Sequence, residues 1–91
     1  MTLHYGARLS MTLYMIEPAQ IRAARALLGW SQADLAKRCG LSADGIRAIE
    51  AGRRDARVST IRAMQEAFEL AGVLFLERGV NRDGGPGVRL R

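Results

Sequence analysis

Between Pro18 and Ala71 the apolar residues recur close to every 3.6 positions, and glycines at 29, 40, 52 and 72 cut that stretch into four short pieces. That period puts apolar side chains on one face of a helix, and a glycine just past the last periodic residue ends it. The chain is therefore expected to form a compact module of short helices. Pro18 suits a first helical turn, where its missing N–H costs nothing, and Ile21, Ala24, Leu27 and Leu28 form the stripe that follows. Ser31 and Asp34 have capping-box spacing, with Asp in place of the usual Glu or Gln. Leu35, Ala36 and Cys39 face inward from the second helix, and Gly40 stops it. Ser42 is expected to cap the third, with Ile46 and Ile49 inward, and a basic loop runs from Arg53 to Val58. Ser59 is expected to cap the fourth, whose buried face is Ile61, Met64 and Phe68.

The flanks follow another rule. From Met1 to Ile16 apolar residues take the odd places, Leu3, Tyr5, Ala7, Leu9, Met11, Leu13 and Met15, with polar or small residues between them. A period of two describes a strand with one apolar face, most regular within residues 7–16. Val73-Leu74-Phe75-Leu76 has strand propensity. Residues 81–87 are rich in glycine and proline, and Val88 and Leu90 then alternate with Arg89 and Arg91. This predicts a hairpin with a long loop. A hairpin alone is marginal in water, so it is expected to join the N-terminal strand in a small sheet, within or between chains.

Composition narrows the function. Ninety-one residues make one small domain, and the net charge of +5 favours a polyanionic partner. Lys37 is the only lysine, so the positive charge is nearly all arginine, whose planar fork suits phosphate and guanine. One cysteine, Cys39, and one histidine, His4, leave neither a disulfide nor a zinc cluster within reach. No nucleophile–base pair, metal set or phosphate loop suggests an enzyme or a cofactor. No apolar run is long enough to span a membrane, and the N-terminal stretch lacks the continuous apolar core of a signal peptide, so the cytoplasm is the expected location.

The stretch Ser31–Gly52 carries the chemistry. Two short helices meet at Gly40, which can adopt a left-handed backbone, and Ala36 is small enough for a close crossing. With Leu35, Cys39, Leu41, Ile46 and Ile49 turned inward, Ala43, Asp44, Arg47 and Ala48 face out, and a helix presented so fits the major groove of B-form DNA. Gly45 inside that helix is expected to cost roughly 1 kcal/mol relative to alanine.

Over residues 20–70 the sequence resembles the Cro/phage-repressor-like (Xre-like) helix-turn-helix family, most strongly at Gly29-Trp30-Ser31-Gln32, Leu35-Ala36, Gly40-Leu41-Ser42 and Ile46 to Gly52. The resemblance implies a four- to five-helix repressor-like bundle with a helix-turn-helix; the fold expected is mainly α, with the short N-terminal strand and C-terminal β-hairpin read from alternation lying outside the family's common core. The expected division, taken from the change of period along the chain, is a strand extension over 1–16, the DNA-binding domain over 17–72 and the hairpin over 73–91, a possible dimer element. By resemblance Ala43, Asp44, Arg47 and Ala48 take the base-reading places, and Gln32, Ser42, Arg53, Arg54 and Arg57 the phosphate-contacting places. Arg25 would pair with Glu50 as a structural ion pair. The implied function is a bacterial or phage-encoded transcriptional regulator, a repressor that binds double-stranded DNA as a homodimer. A second reading is an antitoxin that covers a toxin protein with its terminal strands and represses its own promoter.

Overall fold

The computed structural model describes residues 15–77 and 84–91. Its elements run α1 (Pro18–Leu28), α2 (Gln32–Cys39), α3 (Ala43–Glu50), α4 (Val58–Leu70), β1 (Val73–Leu76) and β2 (Gly87–Leu90). The described residues thus hold four helices and one two-stranded antiparallel sheet, and no fifth helix is among them. The N-terminal strand falls almost wholly outside the described residues. Met15 and Ile16, the end of that expected strand, lie in no strand among the described residues, and Ile16 instead seats in the helical core.

The core lies where the four helical stripes meet. Ile21 and Ala24 from α1, Leu35 from α2, Ile46 from α3, Met64 and Phe68 from α4 and Val73 from β1 are fully buried. Leu28 packs against this cluster, but Leu27 is exposed. Two helix starts are set by local chemistry. At α2 the Asp34 backbone N–H donates to Ser31 Oγ over 3.0 Å, while the Ser31 backbone N–H donates to Asp34 Oδ2 over 2.9 Å. The Ser31 backbone N–H, and to a smaller degree the Ser31 hydroxyl, hold the Asp34 carboxyl below its ordinary pKa. At α3 Ser42 Oγ accepts from the Gly45 backbone N–H over 3.0 Å.

The fourth helix begins differently from expectation. Arg57, not Ser59, is its N-cap; the chain is extended at Arg57, the Ile61 N–H already bonds to the Arg57 carbonyl at 3.0 Å, and no side chain caps the end. Ser59 therefore lies inside the first turn.

The hairpin pairs Val73 with Leu90, Leu74 with Arg89, Phe75 with Val88 and Leu76 with Gly87. It packs against α1 and α4. One residue fixes its place. Gln20 is buried, although it reads as a polar residue of an amphipathic helix. Its Oε1 accepts from the Glu17 backbone N–H at 2.8 Å, and its Nε2 donates to the carbonyls of Leu76 and Gly87 at 3.2 and 3.0 Å. A buried amide needs such partners, and here they tie the start of α1 to both strands.

Aromatic rings join the hairpin to the helices. Trp30 stacks on Phe68 with centroids 5.5 Å apart, and Phe68 meets Phe75 edge-on at 5.8 Å. The Arg38 guanidinium covers the outer side of Trp30, 4.2 Å from its ring centroid. Trp30 is thus a packing residue, as its position at a helix junction suggests. Cys39 Sγ donates to the Leu35 carbonyl over 3.0 Å, and partial burial raises its thiol pKa, which keeps it protonated near neutrality.

Candidate nucleic-acid interface

Helices α2 and α3 are joined by Gly40, Leu41 and Ser42. Gly40 has φ 71° and ψ 32°, a left-handed conformation that a residue with a Cβ resists. Its N–H and that of Leu41 both bond to the Ala36 carbonyl, which closes α2 and turns the chain sharply. Ala36 is buried at the crossing, as its small size predicts.

Helix α3 has two unlike faces. Gly45, Ile46, Ile49 and Glu50 are buried. Asp44 and Arg47 are exposed, their side chains at 88% and 58%, while Ala43 and Ala48 are half-buried between them. Arg47 Nη1 donates to Asp44 Oδ1 over 2.9 Å, an ion pair one turn apart. Arg53, Arg54 and Arg57 are exposed in the loop after α3, and among the described residues no ion pair engages them. Arg54 and Arg57 line an open cleft of about 340 Å³, together with Ser42, Gly45 and Thr60.

Gly45 lines the same cleft. A Cβ there would stand 3.2 Å from Ser42 Oγ and 3.7 Å from Arg54 Nη1. Only the first distance is tighter than ordinary contact, so a methyl group here requires Ser42 Oγ to move by a few tenths of an ångström.

Glu50 is the hub that holds this arrangement. Its carboxylate, 3% exposed, receives Arg25 Nε at 2.6 Å on Oε2 and Arg25 Nη2 at 2.9 Å on Oε1. Gln32 Nε2 also donates to Oε1, at 3.2 Å. Arg22 donates to the Glu50 backbone carbonyl, and Arg25 Nη1 to the Trp30 carbonyl at 3.0 Å. The bond to Glu50 raises the Arg25 pKa further above its ordinary value. The Arg25–Glu50 pair thus joins α1 to the end of α3. Gln32 opens α2 at the same place, with one N–H committed to Glu50.

Sequence reasoning missed Arg22 and Gln20. Arg22 lies one turn before Arg25 on the same helix face, a spacing that could have signalled it. Gln20 gives no local signal, since its partners are backbone carbonyls 56 and 67 residues away.

Two helices crossing at a small residue, with a left-handed glycine in the turn and an exposed second helix, define a helix-turn-helix DNA-binding module. A family model described as helix-turn-helix matches residues 21–74, more than half of the 91 residues. The chain belongs to the Cro/phage-repressor-like (Xre-like) helix-turn-helix family of DNA-binding transcriptional regulators, which are regulatory domains and not a family of enzymes. A comparison with curated proteins gives no match. No helix among the described residues is long and apolar enough to cross a membrane.

Proposed function

We propose that this regulator is a sequence-specific repressor that binds double-stranded DNA as a homodimer and reads the major groove with α3. The observation that carries the reading is the outward face of α3, where Arg47 and Asp44 stand exposed between Ala43 and Ala48 while the opposite face is buried. Arg47 is the principal base reader, with the two alanines against thymine methyl groups. Gln32, Ser42, Arg53, Arg54 and Arg57 flank that helix and contact phosphate. The N–H of Gln32 not bound to Glu50 is left for such a contact. The Arg25–Glu50 pair is structural. One module of this size covers few base pairs, so useful specificity calls for two half-sites and hence two copies.

Selection of bound sites from random duplex DNA tests this, with the whole chain at near-physiological salt. The expected result is an inverted repeat with half-sites about one helical turn apart. A folded protein that enriches no site would overturn sequence-specific binding and favour a protein-binding role such as that of an antitoxin.

A further prediction concerns the loop. Arg54→Ala is expected to weaken binding to preferred and random duplexes alike. It should also flatten the plot of log affinity against log salt by about 0.9, the share of one neutralised phosphate. An unchanged slope would remove Arg54 from the phosphate-contacting set.

A further inference from the structure

Resting on the reading of α3 as the base-reading helix, we propose that Asp44 and Arg47 act as one coupled reading unit for a G·C-containing step, with Asp44 positioning Arg47. Asp44 is then not a separate contact that merely tolerates DNA.

The geometry is that of a buttressed arginine. Asp44 Oδ1 holds Arg47 Nη1 at 2.9 Å while both side chains stand in solvent. An exposed pair of this kind contributes little to folding. Helix α3 does not need it for its start either, because Ser42 already caps the first turn. A guanidinium carries five N–H donors in one rigid plane, and Asp44 takes only one of them. The remaining edge still offers the two parallel donors that match guanine O6 and N7.

The carboxylate contributes in two ways. It restrains a side chain that otherwise surrenders much rotamer freedom on binding, and it keeps Arg47 from swinging toward the phosphates that surround it in a groove. Its second oxygen is left to accept a hydrogen bond, and the base-edge donor suited to a carboxylate is the cytosine amino group. An unpaired Asp44 would be repelled by the phosphate field, whereas the pair carries no net charge into the groove. The unit therefore recognises a guanine through Arg47 and a neighbouring cytosine through Asp44, and each contact depends on the other.

The test is a double-mutant cycle on the full chain with Asp44→Ala, Arg47→Ala and the double variant. The quantity measured is the ratio of affinity for the selected duplex to affinity for random duplex, repeated with the guanine and the cytosine replaced in turn. Arg47→Ala should lower the ratio by roughly 5- to 150-fold. Asp44→Ala should weaken the preference at the guanine as well as at the cytosine, and the double variant should lose about as much as Arg47→Ala alone. All three should keep the helical circular-dichroism spectrum, since both side chains are exposed. If Arg47→Ala lowers the ratio but the two single losses multiply in the double variant, coupling is overturned while base reading stands. The same holds if Asp44→Ala leaves the guanine preference intact. If Arg47→Ala leaves the ratio unchanged, Arg47 reads no base, and both the unit and that assignment fall.

Discussion

Replacing Arg25 by alanine is expected to remove about 3–5 kcal/mol of folding stability, the range for breaking a buried ion pair from one side. The Glu50 carboxylate is 3% exposed and, among the described residues, would keep only the Gln32 amide at 3.2 Å as a side-chain partner. The Trp30 carbonyl would lose its donor as well. A domain of this size has total stability of roughly 5–10 kcal/mol, so the variant should stand close to unfolding at room temperature. Urea titration followed by circular dichroism measures this. The double change Arg25→Met with Glu50→Leu should be less damaging than Arg25→Ala, because it removes the stranded charge and fills the space with apolar atoms. A loss below about 1 kcal/mol for Arg25→Ala would mean that Glu50 reaches water without disturbing α3.

The second large effect is expected at Phe68. Phe68→Ala should cost about 3–5 kcal/mol through lost burial and the cavity left behind. The ring is fully buried and is the middle member of the stack between Trp30 and Phe75, so its removal loosens the α2 entrance and the hairpin together. At about 4–8 °C per kcal/mol for a domain of this length, the thermal midpoint should fall by more than about 12 °C. Trp30 is the only tryptophan, and its emission should shift to the red as the ring beneath it disappears. A midpoint within about 4 °C of the parent would show that neighbouring side chains refill the space.

Most of the helical architecture was legible in the chain because each helix carries its own punctuation. The stripe of α1 after Pro18, the Ser31–Asp34 box and the left-handed Gly40 all act within a few residues, and local chemistry of that kind survives folding unchanged. The start of α4 was misplaced by two residues because a serine near a helix start suggests a cap, whereas the backbone had already turned helical after Arg57. The apolar alternation of residues 1–16 shows no strand in its last two residues, because Ile16 gains more from burial beside α1. The site divides in the same way. The outward set on α3 follows from helical spacing, and the Arg25–Glu50 pair came from family resemblance. The Gln32 bond to Glu50, the Arg22 bond to the end of α3 and the fit of Gly45 beneath Arg54 depend on how helices cross, which periodicity does not encode.

The amide of Gln20 has a consequence for the order of events during synthesis. Its two acceptor carbonyls belong to Leu76 and Gly87. While a ribosome is still making the chain, the start of α1 can form and begin to pack. The Gln20 amide nevertheless has both of its hairpin acceptors only once residue 87 has emerged. A nascent chain that carries the complete two-helix motif but not the second strand therefore still holds its first helix to the body incompletely. The end of α3, gripped from that same helix by Arg22 and Arg25, is therefore expected to be fully fastened only when the hairpin closes.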